Sequence, residues 1–246
     1  MKPRKFEVPY VPCNEEVNKQ FINFYSNRFD EIESVYAPSY INDGLNTRAE
    51  DENVTTDFDK YIYLMSQIKE HFPMEILIQK NSTEDLIEKY YNFGYKRFTI
   101  NNDDLAKQIK KEYKNIILTL SITRLLKHID LFDLDLSCYD YIVLDYRYCR
   151  QISLLKELPK KYQYVLLVNS SCNYDDRSFC PLHWFEKQRK CIRLKEKSSF
   201  IRPVDLVYFD DYIHHYKLQG REFFPNFIHS TIAPFMRKKE SYYDLE

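Results

Sequence analysis

The run EILIQKNSTEDLIEKYYNFGYKRFTINNDDLAKQIKKEYKNIILTLS, residues 75–121, holds the fold in miniature. Glu75–Gln79 is a short apolar run of strand length. Ser82–Phe93 follows with helical spacing and stops at Gly94, a residue suited to a left-handed C-cap. Arg97–Asn101 is a further strand, Asp103–Glu112 its helix, and Ile116–Ser121 the next strand. Strands separated by helices with short connections imply parallel pairing through right-handed crossovers.

The same rhythm extends both ways. Upstream, Phe6–Val11 is a strand, Glu15–Tyr25 a helix and Ile32–Ala37 a second strand. The polar stretch Ser39–Thr56 reads as a long loop ending at an N-cap in Thr55 or Thr56. Asp57–Phe72 is helical, with Tyr61, Met65 and Ile68 on one stripe, and Pro73 stops it. Downstream, Thr123–Leu131 is helical, Tyr141–Asp145 a strand, Gln151–Leu158 a short helix and Tyr164–Asn169 a strand. The rhythm then breaks. Pro203 suits the first turn of a helix over Val204–Asp211, His215–Gln219 is the last strand, and Pro225–Met236 a closing helix. About eight such units fit a single (β/α)8 barrel of the TIM type over residues 1–246, irregular after its seventh strand. Residues 172–203 form a cysteine-bearing insertion within it. A doubly wound open sheet is the structural rival.

Composition narrows the function. The chain has 246 residues, 44% of them hydrophobic, which supports a sizeable core. Its 36 basic and 37 acidic residues leave a net charge of −1, so no general nucleic-acid footprint is present. A mean hydropathy of −0.57, with no long apolar run, predicts no membrane span. The first residues do not read as a signal peptide, so a cytoplasmic location with mostly reduced cysteines is expected. With only three glycines, neither a Walker loop nor a dinucleotide fingerprint can be built.

In a parallel barrel, chemistry gathers where strands end and βα loops begin. That rule selects Tyr10, Cys13, Tyr36, Asn46-Thr47-Arg48, Gln79-Lys80, Asn101-Asn102, Asp145-Tyr146-Arg147, Asn169 and Gln219-Gly220-Arg221. The cysteines add a second signal. Cys172, Cys180 and Cys191 fall in one excursion after the seventh strand, with His183 inside it. Thiolates so placed suit zinc or an iron–sulfur cluster. Cys13 or His183 would be the fourth ligand, and three reduced cysteines without metal are the plain alternative. Cys138 lies at the opposite end of the barrel and reads as packing; Cys149 is a weaker ligand candidate. His214-His215 falls at the N-terminal end of the last strand and reads as structural. Trp184 reads as packing. The charges at Lys187–Lys190 and Arg193–Lys197 read as a solvated face, with an anionic substrate or RNA as the lesser option.

Taken together, Ile142-Val143-Leu144-Asp145 with Arg150, Leu166-Leu167-Val168-Asn169 with Cys172, Cys180-Pro181 with His183, Ile201-Arg202-Pro203-Val204-Asp205-Leu206 and Tyr216-Lys217-Leu218-Gln219-Gly220-Arg221 resemble the collagenase-like peptidase superfamily of the U-thirty-two type. Its relatives include oxygen-independent ubiquinone and tRNA hydroxylation proteins. The Val8-Pro9-Tyr10 start and Asn46-Thr47-Arg48 are also similar to family segments. The resemblance implies a (β/α)8-type barrel and, as in several relatives, a 4Fe-4S cluster. By motif Cys172, Cys180 and Cys191 are its ligands; Cys13 sits in no matching motif and is the fourth by position. Departures are Ser170-Ser171 before the first of these cysteines and the long Asn173–Phe179 insert. Zinc, or no metal, is the alternative cofactor state. The function so implied is an iron–sulfur-dependent, oxygen-independent modifying enzyme, hydroxylase-like. A non-catalytic peptide- or partner-binding barrel with a structural metal, or a peptidase, are the alternatives. Arg221 would hold an anionic group on a small molecule, peptide or RNA-borne substrate, because a guanidinium offers fixed bidentate geometry. Asp145 would orient Arg150 or substrate, and Asn169 would hydrogen-bond in the same mouth. A protein partner subunit is a further expectation.

Overall fold

The computed structural model describes residues 3–40, 57–78, 84–124, 126–149, 151–169 and 201–219, together with Ile232 and Phe235. Within them eight parallel strands close in sequence order into a barrel, each paired with the next and β8 with β1. The strands are β1 (Phe6–Pro9), β2 (Ile32–Pro38), β3 (Met74–Leu77), β4 (Arg97–Ile100), β5 (Ile117–Leu120), β6 (Tyr141–Leu144), β7 (Gln163–Leu167) and β8 (His215–Lys217). Closure through Phe6↔Tyr216 and Glu7↔Lys217 decides against an open sheet. The helices are α1 (Glu15–Tyr25), α2 (Phe58–Lys69), α3 (Glu84–Asn92), α4 (Asp103–Glu112), α5 (Asp130–Asp133) and α6 (Ile152–Glu157).

Local chemistry sets the helix ends. Asn14, Asp57 and Asn102 accept backbone N–H groups at the starts of α1, α2 and α4, each satisfying a donor the helix leaves orphaned. The cap of α2 is therefore Asp57; Thr55 and Thr56 lie outside the described residues. At the end of α3, Gly94 takes φ 79°. Its N–H reaches Tyr91 O, and Tyr95 N–H reaches Tyr90 O, a Schellman closure.

Two expected helices are shorter and tighter. Thr123–Leu131 resolves into a 3-10 turn at Ile122–Arg124 and the single turn of α5. Side chains compete for the backbone there: Ser121 Oγ accepts from Thr123 N, and Asp130 accepts from Lys127 N. Val204–Asp211 is a 3-10 helix over Pro203–Tyr208, with Pro203 in its first turn. Of the closing helix, only Ile232 and Phe235 are described, both buried.

The hydrophobic core lies between barrel and helices. Alternation sends Val8, Val35, Ile76, Phe98, Leu118, Ile142, Leu166 and Tyr216 outward from the strands, all nearly fully buried. Tyr61, Met65 and Ile68 of α2 meet them on the stripe the sequence shows, all buried in the same core cluster.

Candidate functional site

The inward-facing residues are unusually polar for a barrel, whose bore is ordinarily filled by branched apolar side chains. Glu7 of β1 is fully buried. Its Oε1 lies 2.6 Å from His215 Nε2, and its Oε2 accepts from Lys217 Nζ. His215 Nδ1 is 2.9 Å from His214 Nδ1, so one imidazole donates to the other. Glu75 of β3, also fully buried, accepts from Ser34 Oγ at 3.0 Å and from Thr99 Oγ1. Arg97 pairs with Glu33 at 3.0 Å. Glu33 is the residue skipped where β1 and β2 shift register, and this bulge turns its carboxylate toward Arg97.

These pairings fix charge. Burial opposes ionisation of Glu7, but Lys217 and His215 together outweigh it and hold the carboxyl well below the usual range. Burial likewise opposes the Lys217 ammonium, and the carboxylates of Glu7 and Glu75 overcome it, keeping the group protonated beyond its ordinary range. Lys217 is thus held as a cation and is a poor nucleophile, so amine chemistry of the Schiff-base kind is disfavoured at this position.

At the C-terminal end a different set of groups collects. The Tyr36 ring lies 4.2 Å from Lys217 Nζ, and its hydroxyl donates to Leu218 O. Tyr36 therefore bridges from β2 to the end of β8 across the bore, above the ionic layer. Asn169, two residues past β7, makes paired bonds with Gln219: its Oδ1 accepts from Gln219 N and its Nδ2 donates to Gln219 O, each at 2.7 Å. Asp145 sits buried just beyond β6, its carbonyl accepting from Tyr148 N at 3.2 Å. Asn101, Ser121 and Thr123 link side chains at the ends of β4 and β5. Cys13 is half-buried against the core, directly before the Asn14 cap of α1; anions are favoured at that end of a helix.

Several sequence candidates can be placed. Asp145 and Asn169 lie at the same barrel end on neighbouring strands β6 and β7. The side-chain amide of Asn169 is engaged with the Gln219 backbone. Cys149 is buried and donates to Leu167 O at 3.3 Å. Cys138 is partly buried against the core, before β6, and burial raises its thiol pKa. His215 is interior to the N-terminal half of the barrel. Cys172, Cys180, Cys191, His183, Trp184, Asn46-Thr47-Arg48, Gln79-Lys80, Arg150, Gly220 and Arg221 lie outside the described residues. Among the described residues no cluster of three or more His, Cys, Asp or Glu side chains is arranged to hold a metal, and no helix is long and apolar enough to cross a membrane. Cys13 alone of the four thiol candidates is described; as a donor set, four sulfurs suit an iron–sulfur cluster or zinc.

Glu7, Glu75, Thr99 and Thr119, the partners and neighbours of Lys217 in the ionic bore, are what sequence reading passed over. Their signal is present: Glu7 in Phe6-Glu7-Val8, Glu75 in Met74-Glu75-Ile76, Thr99 in Phe98-Thr99-Ile100 and Thr119 in Leu118-Thr119-Leu120 each set one polar residue between apolar ones. That alternation marks the inward face.

No family model matches the sequence, and no curated protein is similar to it. Among solved structures, the chain is similar to the U32 peptidase Mk0906, with a TM-score of 0.50 and 8% sequence identity over 88% of this chain and 93% of that one. The likeness is one of fold.

Proposed function

We propose that the chain is a metal-dependent barrel enzyme, modifying a substrate that carries an anionic group by oxygen-independent, hydroxylase-like chemistry. The observation that carries this reading is the closure of the sheet. Because β7, β8 and β1 are consecutive neighbours in the barrel, the chain exits leading to Cys172, to Arg221 and to Cys13 leave adjacent strands at one end. In this reading Cys172, Cys180, Cys191 and Cys13 hold an iron–sulfur cluster, which when bound supplies one-electron chemistry. Arg221 takes the substrate's anionic group, and Asp145 bounds the same mouth. The substrate is a small molecule, a peptide or an RNA-borne group of that charge, and the working compartment is the reducing cytoplasm. Anaerobic purification followed by iron analysis and visible spectroscopy tests the reading. The parent chain should carry iron and an iron–sulfur absorbance that the Cys172→Ser/Cys180→Ser variant loses. A colourless, iron-free parent, or unchanged iron in the variant, overturns it.

A further inference from the structure

The N-terminal end of the barrel carries a cleft of about 430 Å3, set between the ends of α2 and α3 and the starts of β3 and β4. It lies at the opposite end from the mouth where the candidate site gathers. Part of its wall is hydrophobic: Phe72, Met74 and Tyr95 line it and are almost wholly buried. The rest is cationic. Lys69, from the last turn of α2, and Lys96, just before β4, both line it, against the single carboxylate of Glu70. Arg97 lines it too, but its guanidinium is committed to Glu33 at 3.0 Å.

Helix capping accounts for one lysine and not the other. Lys69 Nζ donates to Phe93 O at 2.8 Å, at the C-terminal end of α3, where a cation is favoured. Lys96 bonds no helix carbonyl among the described residues; its Nζ lies 5.9 Å from the Tyr91 ring. Among the same residues neither lysine pairs with a carboxylate. Burial and the Lys96 ammonium both lower the pKa of Lys69, as expected of two like charges held close with no anion between them. We propose that this cleft binds the phosphate group of a small organic molecule, with Lys69 and Lys96 on the phosphate and Phe72, Met74 and Tyr95 against its apolar body. A phosphate dianion neutralises two ammonium groups at once, and lysine meets it as a point charge that needs no fixed fork. The volume is that of an ordinary small-molecule site, about 300–1,000 Å3. The proposal is independent of any chemistry at the mouth.

The experiment uses the full-length chain, with phenyl phosphate and inorganic phosphate as probes in calorimetric titration and backbone amide shifts to locate them. Phenyl phosphate should bind the parent chain and move the Gly94, Tyr95 and Lys96 amides. Inorganic phosphate should bind about tenfold more weakly, for want of the apolar contact. Lys96→Gln should weaken phenyl phosphate binding about fivefold and leave the melting temperature unchanged, since an exposed charge contact is worth little more. Lys69→Gln should weaken binding to a similar degree, its amide still able to reach Phe93 O. Should Lys69→Gln not fold, Lys96→Gln decides alone. A parent chain that binds neither probe, or a folded Lys96→Gln chain that binds phenyl phosphate undiminished, overturns the site. Shifts confined to amides away from the cleft overturn it as well. Equal affinities for the two probes overturn the apolar half of the proposal.

Discussion

Glu7 shows how one residue commits a barrel to a charge arrangement. It brings a carboxylate into an interior where an uncompensated charge is costly, and the Lys217 ammonium and the His215 ring of β8 make the position tenable. Lys217→Met should therefore destabilise the protein by about 3–5 kcal/mol in urea denaturation, because it strands a buried carboxylate. Pairing it with Glu7→Leu should recover part of that loss; a double variant no more stable than Lys217→Met would show that the charge pair is not the source. The pH dependence follows from the same contacts. The Glu7 carboxyl is held below its ordinary value of 4.5, so its contribution is full above that value and is lost as pH falls further toward the folded-state value. Glu33 and Asp210 are shifted down too, with burial opposed by Arg97 and by Arg4 respectively, and act with the same sign. Lys217, held above its ordinary 10.5, contributes fully below that pH and loses its contribution as pH rises beyond it. Thermal melts should thus show an acid limb beginning near pH 4.5, shallower in Glu7→Gln. At this scale the sequence is legible only in part. The alternation of Lys217 with Leu218 predicts an inward ammonium seeking a carboxylate, but that carboxylate is 210 residues away, a separation no local pattern spans.

At the scale of elements, most periodic segments read true, the short Gln151–Leu158 helix among them. Glu15–Tyr25 is helical over the residues its spacing predicts, since a cap and an amphipathic face agree there. Thr123–Leu131 has helical spacing but too few turns to outweigh the Ser121 and Asp130 side chains that bond the backbone locally. The end of α3 gives a sharper test. At Gly94 the backbone has φ 79°, and a Cβ placed there would lie 2.7 Å from Lys69 Nζ, whose ammonium donates to Phe93 O. Lys69 is the far end of a flexible side chain and can shift, so the left-handed backbone dominates the cost. Gly94→Ala should lower stability by about 1–2 kcal/mol, read as a fall in melting temperature. An unchanged melt would mean that the Schellman closure is dispensable. The candidate site itself was half legible: strand ends named Tyr36, Asp145 and Asn169, but the bonding of Asn169 to Gln219 depends on the β7–β8 register, which only the closed sheet reveals.

For the whole molecule, closure is the organising fact. The repeated strand–helix unit predicts a parallel sheet, and the sheet closes because β8 finds β1 as well as β7. A chain ended after Phe209 would leave β1 and β7 with open edges and Glu7 without its buried partners. Circular dichroism should then show no cooperative melting transition, whereas a sigmoidal one would mean that seven strands suffice. The seam between β8 and β1 also bears on how the protein is made. Arg4 and Glu7 are synthesised well before Asp210, His215 and Lys217, their partners, which come 206, 208 and 210 residues later. At usual translation rates of about 5–20 residues per second, that delay is about 10–40 s. Through it the nascent first strand carries a carboxylate with nothing to bury it against, so the barrel completes only once its last strand has cleared the ribosome.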